Sequence, residues 1–373
     1  MPTIFDLVTS KDIATYWTEL NKNEQPMLGE TLFPKTNVMG TQLDWIKGAN
    51  NQPVALRLSS FDAKAIRRDV QGIEKYSTEM PFFKESFYID EKLRQQLINV
   101  VATNNSELIN RILGQIYKQE ANLIDSTDIS LERMRMQLLT TGSLVLSSNG
   151  QGYTYDYGLD EDQKITVEKS WSDPTADIVA DINDVKKQAK AKGINITRAI
   201  CNSSVTSSFA LNEAIKNSLY VFANGKVNPT DSEALAYVEG RTQVTIVEYD
   251  NVYVDEDGTT HKYIPDNTIV FLPDGVLGET ALGVTPEEAD LLNSLTAQVS
   301  IVNGGVAVTT SKMVDPVNVE TKVSMIALPS FERANEIFIV DTEAETTPDT
   351  PTEPDTPTEP DTPTEPDTPE GSE

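Results

Sequence analysis

Apolar positions along the chain change their period several times, and each change marks an element. Between 91 and 142 they recur at helical spacing. Leu93, Leu97 and Val101 fall four apart, and Leu108, Ile109, Ile112, Leu113, Ile116 and Tyr117 share one face behind Ser106 as N-cap. After Asp125-Ser-Thr-Asp128 a further helix carries Leu131, Met134 and Leu138, and Gly142 stands where a left-handed residue closes it. The pattern predicts a long helical spine with one soft point at 125–128. Downstream, Asp173-Pro174 supplies an N-cap followed by proline at the first helical position, with Ile178, Ile182, Val185 and Ala189 on one face of the helix they open. Its lysines, Lys186, Lys187, Lys190 and Lys192, come late, as the helix dipole favours, and Gly193 stops it.

Elsewhere the period is two. A strand is predicted over 194–200, and a second helix is marked by Val205, Phe209, Ile215 and Leu219. From 242 onward Val244, Ile246, Val252 and Val254 lead into the turn Asp255-Glu-Asp-Gly258 and the return through Lys262 and Ile264, because Asp-Gly between apolar runs favours a hairpin. Segments 268–272, 306–310 and 317–328 add strands, and 145–167, rich in Gly, Tyr and Thr, suggests strands and turns. Before 53, short apolar patches mixed with turn residues suggest an arm lying on other surfaces. Weak alternation over 54–90 around an Arg67-Arg68-Asp69 cluster predicts a long hairpin with a polar tip. The predicted class is α+β.

The periodicity ends near Asp341. From 348 to 365 the sequence repeats Pro-Asp-Thr-Pro-Thr-Glu three times, and a segment with so few apolar side chains cannot offset its ordering entropy. Residues 342–373 are therefore expected to form a disordered, acidic, Pro-rich tail. At about 3.1 Å per residue such a coil reaches at most ~100 Å. The net charge of −28 is only partly due to this tail, and a surface so negative repels phosphate, which makes nucleic acid and anionic membranes poor partners for the outer face. A single cysteine, Cys201, excludes an intramolecular disulfide framework and fits synthesis in a reducing compartment. The N-terminal residues lack the basic and apolar regions of a secretory signal, and no apolar run approaches the ~20 residues of a membrane helix.

The order of elements and several strings resemble the major capsid protein of tailed bacteriophages, closest to the lambda-type capsid family with its Hong Kong 97 fold. The strings are Leu32-Phe-Pro34, Asp44-Trp-Ile-Lys-Gly48, Leu138-Leu-Thr-Thr-Gly142, the hairpin through Asp255-Glu-Asp-Gly258 to Ile264-Pro265, Val270-Phe-Leu-Pro-Asp-Gly275, Asp315-Pro316 and Ala327-Leu-Pro329. The resemblance implies an N-terminal arm (1–52) embracing neighbours and an extended hairpin loop (53–90) lying over an adjacent subunit. It further implies a spine helix with peripheral-domain strands (91–174), an axial domain (175–312) and returning peripheral strands (313–341), ahead of the tail at 342–373. The acidic repeats and the interruption at 125–128 depart from the family pattern. By this resemblance the protein is a head protein that self-assembles through pentamers and hexamers into an icosahedral shell, made in the host cytoplasm and located in the virion. Its partners are copies of itself, a separate scaffolding protein because the arm is short, and DNA enclosed without sequence-specific binding. A decoration protein is left open, and no membrane is involved.

No catalytic constellation emerges. His261 is the only histidine, which excludes a multi-histidine metal site, and it reads as an exposed strand residue. Cys201 ends a predicted buried strand and reads as a core thiol rather than a nucleophile. Asp255-Glu-Asp-Gly258 lacks the alternating acids and twelfth-position Glu of a calcium loop, and Gly275, Gly278 and Gly283 lack the lysine of a phosphate loop. No enzyme activity, cofactor or metal is expected. Arg67 and Arg68, on an otherwise acidic chain, are candidates for docking onto carboxylates of an adjacent subunit, the alternative being a solvated tip. The competing function is a wall-associated or surface binding protein with a Pro-rich stalk, which the absent signal and sorting motifs disfavour.

Overall fold

A computed structural model describes residues 8–23, 25–47, 74–89, 91–102, 106–148, 150–220, 227–291, 297–314 and 317–344. The spine is one uninterrupted helix, Ser106–Thr141, of 36 residues and about 54 Å. Gly142 closes it at φ +76°, donating its N–H to the Leu138 carbonyl at 2.8 Å. The soft point expected at 125–128 is absent. Ser126 and Ser130 turn their hydroxyls back to helix carbonyls one turn earlier, Thr127 bonds the Ile124 carbonyl, and the two aspartates face other parts of the chain.

The spine packs across a six-stranded sheet whose hub is the 13-residue strand Val317–Pro329. This strand pairs antiparallel with Val306–Val314, Phe82–Tyr88 and Thr280–Gly283. Lys35–Val38 adds in parallel to Thr280–Gly283, and Ala297–Val302 lies beyond Val306–Val314. A second sheet, of five strands, runs Lys164–Thr166, Phe338–Asp341, Thr268–Pro273, Ile196–Cys201 and Thr245–Glu248. Its central strand is apolar and buried from Ile269 to Pro273 because both faces are covered. Val270 and Leu272 belong to the core under the spine, while Ile269 and Phe271 belong to a second core with the helices Ile178–Ala191, Ser203–Leu211 and Asp231–Thr242. The two cores interleave in sequence: the expected limit at 312 falls inside Val306–Val314, and Phe338–Asp341 returns to the second sheet. Thr342 is still held there, between the Asn267 carbonyl and the Trp171 N–H.

Three local starts differ from expectation. The helix read from Asp173 begins at Ile178, with Asp177 as its cap, because Asp173 instead accepts the Thr175 N–H in a tight turn. The helix marked by Val205 to Leu219 is two, Ser203–Leu211 and Glu213–Leu219. Buried Asn212 divides them, capping the second through Ile215 N–H and donating to the Ala176 carbonyl. The base of the extended hairpin lies further upstream than 53, since Gln42–Lys47 pairs antiparallel with Glu74–Glu79. Alternate residues Leu43, Trp45 and Lys47 point inward along this strand. The hairpin's expected tip, with Arg67 and Arg68, and the repeats from 348 onward lie outside the described residues.

Candidate functional site

Among the described residues no group of three or more His, Cys, Asp or Glu is placed to hold a metal, and no helix is long and apolar enough to cross a membrane. Cys201 is fully buried at the end of its strand, and burial pushes its thiol up to about 12, which keeps it protonated and unreactive. His261 is half-exposed on the hairpin Val252–Val254/Thr260–Lys262, stacked on Tyr253. It has a local partner the sequence did not suggest, with Nε2 2.6 Å from an Asp255 carboxylate oxygen. Asp255 is itself held by the N–H groups of Asp257 and Thr259, so the acidic turn satisfies its own carboxylate. Each of these groups stabilises the chain locally.

The concentrated polar chemistry lies instead along one face of the spine. Asp125, Asp128, Glu132 and Arg135 are spaced by three, four and three residues, which stacks them on one side of a helix. All four engage segments far away in sequence. Asp125 accepts from Trp17 Nε1 at 2.6 Å and from Asn21 Nδ2 at 3.1 Å, fixing the end of the helix Ser10–Leu20. Asp128 accepts from Lys35 Nζ at 2.9 Å and from Asn303 Nδ2 at 2.7 Å. Glu132 accepts the Gly29 N–H and the Tyr249 hydroxyl, each at 2.8 Å. Arg135 donates from Nε to Thr280 Oγ1 at 2.9 Å, and Thr280 passes its own proton to the Phe33 carbonyl at 2.8 Å.

The electrostatics of this face are those of a dry junction. Glu132 and Arg135 are fully buried, with a guanidinium nitrogen 3.6 Å from the second Glu132 oxygen. Burial raises the Glu132 carboxyl above the usual carboxylate range against the pull of Gly29, Tyr249 and Arg135, and burial lowers Arg135 against the pull of Glu132. Gly29 is required by close approach: a β-carbon there would sit 2.5 Å from a Glu132 carboxylate oxygen. The arm segment is thus built into its own subunit. Ile13, Leu32 and Phe33 are buried in the core under the spine, where the resemblance implied an arm embracing neighbours.

The root of the extended hairpin is fixed similarly. Trp45 is sandwiched between Tyr76, 4.5 Å away, and Tyr157, 5.1 Å away. The Tyr157 hydroxyl donates to the Pro329 carbonyl at 2.5 Å, and buried Lys47 donates to the Gly158 carbonyl. On the returning strand, Lys84 meets Glu287 at 2.7 Å, and Glu287 also accepts from Ser324. Around this root, apolar side chains face solvent: Met39 is 95 % exposed, and Ile46, Phe82 and Tyr88 are each more than 40 % exposed. The arrangement fixes the strand pair Gln42–Lys47/Glu74–Glu79 rigidly and leaves apolar surface beside it, which suits contact with other chains rather than chemistry. Sequence reading missed the four-residue polar face because Asp125 and Asp128 looked like an interruption, and Glu132 and Arg135 fell unremarked among the apolar positions of the helix. The i, i+3 pairing of Glu132 with Arg135 was the available signal.

The family model described as phage major capsid protein E matches residues 9–342. No curated protein sequence matches the chain. Among solved structures, a prophage protein from Escherichia coli CFT073, assigned as capsid, aligns at 14% identity and a TM-score of 0.53, covering 90% of this chain and 99% of its own. A phage-related protein from Bordetella bronchiseptica RB50 aligns at 12% identity and a TM-score of 0.51, covering 90% and 98%. At such identities the structural likeness speaks to the fold, which is the Hong Kong 97-like capsid fold.

Proposed function

The chain belongs to the phage major capsid protein E family and is a structural shell protein, and we propose that it assembles through pentamers and hexamers of itself into the icosahedral head that encloses phage DNA. The observation that carries the assembly reading is the apolar surface beside the strand pair Gln42–Lys47/Glu74–Glu79: the pair is clamped by Trp45, Tyr76 and Tyr157, and Met39, Ile46 and Phe82 face solvent next to it. A compact monomer has no use for such exposed apolar surface, whereas neighbouring copies can cover it. In this reading the spine and the six-stranded sheet form the peripheral domain, and the five-stranded sheet with its helices forms the axial domain nearer the capsomer centre. The wall-associated alternative is not favoured by the family. A separate scaffold, synthesis in the host cytoplasm and an acidic tail projecting from the particle complete the proposal.

Arg67 and Arg68 are proposed to contact carboxylates of the adjacent subunit. With a net charge of −28, neighbouring copies repel one another, so a doubled arginine gives a charge-complementary contact. Replacing both by Glu leaves the circular dichroism spectrum and thermal midpoint of the subunit unchanged and lowers the yield of sedimenting particles at least severalfold. Wild-type particle yield from the double variant shows a solvated tip. A wild-type chain that never sediments as particles, with any scaffold supplied, removes the assembly reading itself.

A further inference from the structure

The spine carries a second buried carboxylate that the arm junction does not use. Glu120 lies one turn from Ile116 and one from Ile124, all three with no exposed surface. One carboxylate oxygen accepts from Thr321 Oγ1 at 2.7 Å, and Thr321 is itself fully buried in the hub strand Val317–Pro329. The other oxygen, Oε2, has neither solvent nor a hydrogen-bond partner. The contrast with Glu132 is direct: that carboxylate has two donors and a guanidinium, while Glu120 has one neutral hydroxyl.

Among the described residues, no ion pair reaches Glu120 from the elements packed around it. On the arm helix Ser10–Leu20, Asp12 is an acid bound by the Thr9 hydroxyl at 2.6 Å. On the spine itself the neighbours are Tyr117, whose hydroxyl is pushed up to about 12 by burial, with Asp12 and Glu120 adding to the effect, and Lys118. Phe82–Tyr88 carries Lys84, engaged by Glu287, and Glu85. The helix Glu91–Ala102 carries Glu91, Lys92 and Arg94, and Val306–Val314 carries Lys312. In the hub strand, Glu320 and Lys322 alternate with Thr321 and so lie on the opposite face. Among the described residues none of these cations forms an ion pair with Glu120.

A carboxylate excluded from water with one neutral donor is costly when ionised and much less so when it carries its proton. We propose that Glu120 is a proton-controlled latch between the spine and the hub strand, at ease while protonated and destabilising when ionised, because the Thr321 bond, though stronger to the carboxylate, offsets only part of the cost of burying the charge. The latch belongs to the subunit itself and does not depend on the shell reading. Burial lifts the Glu120 carboxyl from 4.5 to about 7, with the Thr321 bond pulling it back down. The folded subunit therefore binds this proton more tightly than the unfolded chain does. The associated stability is fully present below the unfolded value and is lost as pH rises through about 7.

The test is the unfolding of the full chain in denaturant between pH 5 and pH 8, for wild type, Glu120→Gln and Thr321→Val. The folding constant of wild type, taken relative to Glu120→Gln to cancel every other titrating group, falls on the order of 50- to 100-fold over that range. In Thr321→Val, where the ionised form loses its donor, the fall extends to higher pH. Should Glu120→Gln fail to fold, infrared spectroscopy decides. An un-ionised carboxylic acid band persists at pH 6 in wild type, is largely lost by pH 8, and survives to higher pH in Thr321→Val. Parallel pH profiles for wild type and Glu120→Gln, or an infrared band indifferent to Thr321→Val, overturn the latch.

Discussion

Replacing Glu132 by alanine lowers the stability of the subunit by about 3–5 kcal/mol, because it strands the Arg135 guanidinium in a dry interior and frees the Gly29 N–H and the Tyr249 hydroxyl at the same time. Denaturant unfolding followed by circular dichroism measures the loss as a lower midpoint at unchanged slope. The pair itself is not a strong source of stability. Its closest charge contact is 3.6 Å, and one guanidinium nitrogen and one carboxylate oxygen lack hydrogen-bond partners. Replacing both residues together, Glu132→Leu with Arg135→Met, is accordingly far milder than either single loss. A Glu132→Ala variant as stable as wild type would mean that the junction between arm and spine is open to water.

Removing residues 1–38 abolishes folding of the isolated subunit. The deletion takes Val8, Ile13, Leu32 and Phe33 out of the core, each worth about 1.5–3 kcal/mol when fully buried, against a total stability of about 5–15 kcal/mol for a typical domain. It also strips Lys35–Val38 from the edge of Thr280–Gly283 and leaves Asp125, Asp128 and Glu132 without their principal partners. Soluble expression and near-ultraviolet circular dichroism of the truncated chain test this. A truncated chain that folds and fails only in assembly would restore the picture of an arm that serves neighbours.

The sequence made local features legible where one residue dictates the backbone. Gly142 closes the spine, Gly193 follows the helix bearing Ile178, Ile182, Val185 and Ala189, and Asp255-Glu-Asp-Gly258 turns its hairpin, each because a glycine there takes a positive φ. The helix Asp231–Thr242 went unread because its apolar pattern is weak, although Thr230 and Glu233, which cap it reciprocally, were a signal for its start. What was not legible depends on distant partners. Asp125 and Asp128 look like a helix break until Trp17 and Lys35 arrive to use them, and Gln42–Lys47 looks like arm until it pairs with Glu74–Glu79 some thirty residues on. Glu120 gave no signal of its own, since its state is set by Thr321 and by the water that the sheet excludes.

The reading of the chain as a shell subunit meets its most direct test in electron microscopy of the purified full-length protein, produced alone and with the scaffold it requires. Closed shells or tubes built from repeating pentamers and hexamers are the expected result, with segment 48–73 laid over the next subunit in averaged images. A compact monomer that persists under every assembly condition, with Met39, Ile46 and Phe82 still facing solvent, would contradict it.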